Sequence, residues 1–260
     1  MTERIGVITP PANATVEMEL HRERPHDVDV FVARFPATSG HGSWTGLRER
    51  LLGFDRHLEA TAAQLADLDL AGVYVACTAL SYLSEVNHDF AARLGGRCGK
   101  VVTAAGVISR HLRESGAEGI ALVSPYPEWL TELSVAHWRA QGWRVTKVVS
   151  VVPPGRIYDL DGGAVLQGIR QVTGCADVVV CTGTGMPTLE AIEAARQEDA
   201  ALRVVSANWL IARGWTAVLH HPTTPPVFHD GAVTTHDRSG HEPLSSPGAE
   251  GSGGTTRGTS

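Results

Sequence analysis

Lysine is almost missing from this 260-residue chain: of its 22 basic residues, only Lys100 and Lys147 are lysines. Pyridoxal-phosphate chemistry needs a lysine for its Schiff base, and neither of these stands in a site-like context. No Lys/Arg block occurs and the formal charge is −6, which leaves no basic surplus for a phosphate backbone and excludes nucleic acid as a partner. No Cys-x-x-Cys pair joins any of the four cysteines, Cys77, Cys98, Cys175 and Cys181, so metal-ligand spacing is missing and no metal is expected. No apolar run approaches membrane-spanning length, and Met1 to Ile5 enters a strand pattern without the segments of a signal peptide. The expectation is a cytoplasmic protein without membrane contact, its cysteines kept as thiols.

What is present is an ordinary globular composition, 43% hydrophobic and 19% charged, sufficient for a sizeable core. Its central feature is Val73-Tyr74-Val75-Ala76-Cys77-Thr78-Ala79-Leu80-Ser81, a short apolar β-type run that ends on a cysteine followed by small hydroxyl residues. The pattern returns as Val178-Val179-Val180-Cys181-Thr182-Gly183-Thr184-Gly185. Each reads as a buried strand delivering a thiol to a loop.

Around these runs, strands and helices alternate. Arg4 to Thr9 is a strand stopped by Pro10, and Asn13 or Thr15 caps a following helix; Glu17 and Glu19 read as charges near its N-terminus. Val28 to Arg34 alternates as a second strand, Pro36 to Ser43 is a polar loop, and Leu47 to Leu68 has helical spacing. Glu85 to Leu94 reads as a helix ended by Gly95-Gly96, and Val101 to Ser115 as another ended by Gly116. The rhythm restarts at Gly119-Ile120-Ala121-Leu122-Val123-Ser124-Pro125, which echoes Gly6-Val7-Ile8-Thr9-Pro10. Helix 128–141, strand 143–152, helix 163–172, strand 176–181, helix 188–196 and strand 203–205 repeat the first half. A closing helix, 208–219, is capped by Ser206.

The expected fold is α/β, with two pseudo-symmetric lobes, each a parallel four-stranded sheet flanked by helices. Residues 1–98 form the first lobe, with the closing helix 206–219 able to pack back on it, and 99–205 the second. From Pro222 to Ser260 the composition shifts to Pro, Gly, Ser, Thr and His, which cannot bury enough apolar surface to offset ordering. His220, His221, His229, His236 and His241 read there as solvated loop residues.

Ligands of open parallel sheets bind beyond the carboxyl ends of the strands, where both Cys77 and Cys181 fall. Packing about a pseudo-twofold axis brings the two thiols to one cleft between the lobes. A thiol near a helix N-terminus or an amide-rich loop loses several pKa units from about 8.5, so one partner serves as thiolate and the other as thiol. One sulfur then removes a proton or adds to an activated double bond while the other delivers a proton, without metal or organic cofactor. A lone strand-end cysteine is usually apolar filler; two at equivalent repeat positions point to catalysis. Cys98 and Cys175 lack that context and read as structural. Asn13 reads as a helix cap or as a donor to a substrate carboxylate, and Tyr126, in the matching loop of the second half, as a packing or a ligand residue.

At these residues the chain resembles the aspartate/glutamate racemase superfamily, in the branch of maleate cis-trans isomerases and arylmalonate decarboxylases. Asn13-Ala14-Thr15-Val16-Glu17-Met18-Glu19 is similar to the maleate isomerase opening Asn-x-Thr-Met-Glu-x-Glu; Cys77-Thr78-Ala79-Leu80-Ser81-Tyr82 and Cys181 with Thr188-Leu189-Glu190-Ala191-Ile192 resemble the two cysteine segments. The resemblance implies a cofactor-free site for a small carboxylate. Cys77 would attack the alkene, Cys181 would handle the proton, and Asn13 and Tyr126 would hold carboxylates, with Thr78, Thr182 and Gly183 binding substrate from the adjoining loops. Decarboxylases usually have glycine at the first cysteine position, so Cys77 favours isomerisation or racemisation. The asparagine that maleate isomerases carry in a later loop is replaced by Pro153-Pro154-Gly155-Arg156-Ile157-Tyr158, where Arg156 is either a substitute carboxylate ligand or a surface arginine. A racemase, a decarboxylase, a non-catalytic ligand-binding protein and a homo-oligomer stay open alternatives.

Overall fold

The computed structural model describes residues 2–37 and 43–220. Strands β1 (Glu3–Thr9), β2 (Val28–Arg34), β3 (Gly72–Val75) and β4 (Lys100–Thr103) form one parallel sheet in the order β2-β1-β3-β4. Strands β5 (Gly119–Ser124), β6 (Arg144–Ser150), β7 (Val178–Cys181) and β8 (Val204–Ser206) form a second in the order β6-β5-β7-β8. The two orders are the same, so the repeat read in the sequence is a repeat of topology, with β3 and β7 as counterparts. Every residue of β3, β5 and β7 is buried, as central parallel strands covered on both faces require.

The alternation of side chains along a strand sorts the second sheet into two faces. Ile120, Leu122, Val178 and Val180 join Ile5, Val7, Ile8 and Val73 in one continuous core that runs through both lobes. Ala121, Val123, Val179 and Cys181 point the other way, into a cluster with Met186 and Ile192. Truncating a fully buried leucine such as Leu20 or Leu122 in such a core costs about 2–5 kcal/mol.

The helices are α1 (Ala14–Glu23), α2 (Leu47–Arg56), α3 (Leu58–Ala62), α4 (Phe90–Cys98), α5 (Ala104–Glu114), α6 (Glu128–Ala140), α7 (Gly162–Val172), α8 (Leu189–Glu198) and α9 (Ala207–His220). Ser206 caps α9, accepting a hydrogen bond from Trp209 N, and α9 packs against α1 and α5.

Three sequence expectations need correction. The segment 47–68 is not one helix: it breaks at His57, where ψ rises to 5°, and ends in a 3-10 turn over Ala63–Leu68. Residues 85–94 are not the fourth helix; Asp89 caps a helix that starts at Phe90 and runs through Gly95 and Gly96, with the turn delayed to Gly99 at φ +64°. Val101 does not open a helix, because Lys100–Thr103 pairs with β3 and Thr103 then caps α5 through Gly106 N. A division between residues 98 and 99 therefore falls ahead of a strand that belongs to the first sheet. The expected tail from Pro222, with His221, His229, His236 and His241, and positions 38–42 of the polar loop lie outside the described residues.

Candidate active site

Beyond β3, Ala76 and Cys77 lead into a 3-10 turn, Thr78–Tyr82, whose first position Cys77 caps. Cys77 lines a cavity of about 60 Å³ shared with Asn13, Thr78, Tyr126, Thr184, Gly185 and Tyr158. Among the described residues Arg50 is the single charged side chain in its lining. The walls come from both lobes, as the pseudo-symmetric reading requires.

Of the two roles foreseen for Asn13, the structure shows the helix cap; the amide that would donate to a carboxylate donates to Thr184. The Asn13 Oδ1 accepts from Val16 N at 3.3 Å, capping α1, while its Nδ2 donates across the lobes to Thr184 Oγ1 at 3.2 Å. Thr184 Oγ1 in turn donates to the Ala76 carbonyl at 3.0 Å, one residue before Cys77. Tyr126 lies against the cavity and donates its hydroxyl to the Thr182 carbonyl at 2.9 Å. Thr78 Oγ1 is buried without a hydrogen-bond partner, a state that costs about 1–3 kcal/mol unless a ligand supplies the acceptor.

Gly183 is explained by close approach: a Cβ there would sit 2.5 Å from Pro125 Cγ and 3.6 Å from the Tyr126 hydroxyl. At Gly185 a Cβ would meet Tyr158 Cε1 at 2.8 Å. The two glycines let the loop after β7 press against the two tyrosines of the cavity.

Cys181 is placed differently from its counterpart. It packs among Val123, Met186 and Ile192 rather than in the cavity lining, where the same loop contributes Thr184 and Gly185. Arg156 is not in the cavity either; it is exposed and paired with Asp159 at 2.8 Å. Its carboxylate partner is thus a neighbour in its own turn, which removes it as a substrate ligand in this structure.

The expected depression of a thiol pKa is overturned as well. Burial pushes the Cys77 thiol up to about 12, with the Leu80 and Ala79 amides pulling in the opposite direction. Burial pushes Cys181 higher, and the Glu19 carboxylate pushes it the same way. Desolvation of the thiolate outweighs the nearby amides.

Glu19 is the residue that sequence reasoning most misplaced. It does not serve its own helix; it crosses to the second lobe and accepts from Thr188 N, from Leu189 N at 2.9 Å, from Thr188 Oγ1, and from Asn208 Nδ2 at 2.7 Å. The carboxylate thereby caps the N-terminus of α8, where orphan amides and the helix dipole favour an anion. Asn208 Nδ2 also donates to the Thr184 carbonyl at 2.9 Å, and Asn208 Oδ1 accepts from Tyr74. This buried polar chain ties the end of β3 to the loop after β7. Glu17, by contrast, stays outside and pairs with Arg34 at 2.7 Å.

Two like sheets, each carrying a cysteine at the end of its third strand, with a cavity walled by both halves, define a pseudo-symmetric two-lobed α/β protein. No family model matches the chain. The maleate isomerase of Geobacillus stearothermophilus is 27% identical over 227 residues, spanning 78% of this chain and 86% of the relative. The structure of a cysteine-to-serine variant of Nocardia farcinica maleate cis-trans isomerase, with a covalently bound succinylcysteine intermediate, matches at a TM-score of 0.70 and 25% identity over 85% of this chain and 94% of that one. A liganded double variant of arylmalonate decarboxylase matches in fold at a TM-score of 0.69 and 22% identity, over 84% of this chain and 92% of that one. The curated relatives that the chain matches are maleate isomerases, and the solved structures that share its fold are maleate isomerases and arylmalonate decarboxylases. Among the described residues no helix is long and apolar enough to cross a membrane.

Proposed function

We propose that this protein is a maleate cis-trans isomerase, acting on a small unsaturated dicarboxylate with Cys77 as nucleophile and Cys181 as proton carrier. The observation that carries the division of roles is the unequal surroundings of the two thiols. Cys77 faces the cavity and has the Ala79 and Leu80 amides to receive its negative charge. Cys181 has the Glu19 carboxylate nearby, which favours the protonated form. The first is the more readily ionised thiol, and the second is the one that holds its proton.

In the reaction, Cys77 loses its proton to solvent and its thiolate adds to one alkene carbon, forming an S–C bond. The electron pair of the double bond passes to the neighbouring carbon, which takes a proton from Cys181. The product is a succinyl adduct whose central bond is single and rotates. Return of the proton to Cys181 and expulsion of the Cys77 thiolate leave the trans diacid. Because Thr184 and Gly185 of the loop after Cys181 wall the cavity, that loop must shift for the second thiol to reach the substrate.

Proton NMR of the protein with maleate, beside its Cys77→Ala variant, tests the reading. Fumarate is expected from the parent alone. Equal turnover by the variant would eliminate the covalent mechanism, and an inert parent would eliminate the substrate.

A further inference from the structure

Helix α2 sends one face into the cavity, made of Leu47, Arg50, Leu51 and Phe54. These are positions i, i+3, i+4 and i+7, the stripe that an amphipathic helix buries. Three of the four are apolar and the fourth is an arginine. Other charges of α2 find ionic partners, Arg48 with Glu85 and Asp55 with Arg93. Arg50 instead donates to two neutral acceptors, the carbonyls of Thr45 and Ser43. Burial depresses its pKa, opposed by Tyr158 and Glu49, and Tyr158 in turn lies within electrostatic reach of both the Cys77 sulfur and Arg50. The cavity therefore holds one partly desolvated cation, an orphan hydroxyl at Thr78 and an apolar wall.

Resting on the isomerase reading, we propose that Arg50 is the carboxylate-recognising residue of this cavity and makes the site selective for a diacid over the corresponding monoacid. One carboxylate of the substrate meets the Asn13 and Thr78 side; the other meets the planar fork of the guanidinium, which matches a carboxylate in two parallel hydrogen bonds. The carbon skeleton lies against Leu47, Leu51 and Phe54. Arg50 takes the part that the sequence offered to Arg156.

The test compares maleate with its monoamide, maleamate, on the parent, Arg50→Lys and Arg50→Met. Turnover is read as kcat/KM for each, and binding by calorimetry in a Cys77→Ala background, where no adduct forms. The parent should prefer maleate. Arg50→Met should lose about ten- to a hundredfold with maleate and little with maleamate, while Arg50→Lys should recover part of the preference. Equal losses on both compounds would mean that Arg50 only braces the 43–45 backbone, and an unchanged preference would mean that it binds nothing; either overturns the proposal. Arg50-dependent maleate binding without fumarate would instead overturn the isomerase reading and leave Arg50 as the diacid ligand. No binding of either compound would overturn both.

Discussion

The reactivity of Cys77 toward iodoacetamide is a direct reading of its burial. The thiol is 6% exposed and burial pushes it up to about 12, against about 8.5 for a free cysteine. At neutral pH this leaves roughly 3.5 log units fewer thiolates. A more basic thiolate is also more nucleophilic, and a Brønsted slope of about 0.4–0.5 returns about 1.5 of those units. The net expectation is alkylation about 100-fold slower than a free cysteine peptide, before any steric shielding, with the rate climbing tenfold per pH unit through pH 7 to 10. The assay is labelling of the native protein across that range, with Cys77, Cys181 and the half-buried Cys175 followed as separate peptides by mass spectrometry. A plateau for Cys77 near pH 8–9, or a rate within threefold of the free peptide, would refute the claim that desolvation outweighs the Ala79 and Leu80 amides. Slow labelling at rest does not count against catalysis, because the thiolate is needed only with substrate bound.

Both raised thiols also make stability depend on pH. The folded state holds them protonated while the unfolded chain releases protons near pH 8.5, so their contribution is intact below that value and falls as pH rises toward 12, by about 1.4 kcal/mol per unit for each thiol. Urea midpoints from pH 8 to 10 should drop less steeply in Cys181→Ala than in the parent, and parallel slopes would sink the assignment. Gly183→Ala places a Cβ 2.5 Å from Pro125 Cγ and should cost about 1–3 kcal/mol with reduced turnover; full activity at parental stability would show that the loop has room. Glu19→Ala strips the acceptor from the Thr188 and Leu189 amides and from Asn208, at about 1–3 kcal/mol per orphaned donor; a loss below 1 kcal/mol in denaturant would mean that water replaces the carboxylate. Thr78→Val removes a hydroxyl that the empty protein leaves unpartnered, so stability should hold or rise while maleate binding weakens; unchanged binding would exclude Thr78 from the site.

What the sequence made legible was whatever rests on short apolar runs. The strands β1, β3, β5 and β7 sit at the centre of their sheets and are continuously buried or nearly so, which gives an apolar signature with a sharp end. That end is where Cys77 and Cys181 fall. Strand β4 was hidden because Val101-Val102 runs without a break into the apolar stripe of α5, and only Thr103, acting as a cap, separates them. Gly95 and Gly96 misled because an added Cβ would meet nothing within 4 Å at either: the helix tolerates them without using them. Arg50 left a signal that was passed over, a lone cation in the Leu47, Leu51 and Phe54 stripe. Glu19 showed only as the last position of the Asn13 to Glu19 opening, with nothing to mark its partners, since its four donors come from Thr188, Leu189 and Asn208, far along the chain. Tyr158 and Thr184 likewise enter the cavity only by tertiary packing.

The repeat explains why there are two thiols, and departures from it explain why they differ. Identical strand orders put Cys77 and Cys181 at matching strand ends, and perfect symmetry would give both the same proton affinity. The proposed addition to the double bond of a diacid needs opposite behaviours, an electron-pair donor at one carbon and a proton source at the other. The first half follows its cysteine with a 3-10 turn whose amides face the sulfur. The second follows it with a glycine loop and receives Glu19 from the opposite lobe. Because that same carboxylate caps α8 and holds Asn208 against Thr184, the group that adds to burial in keeping Cys181 protonated also joins the lobes. Separation of the lobes would therefore release the proton bias together with the cavity wall.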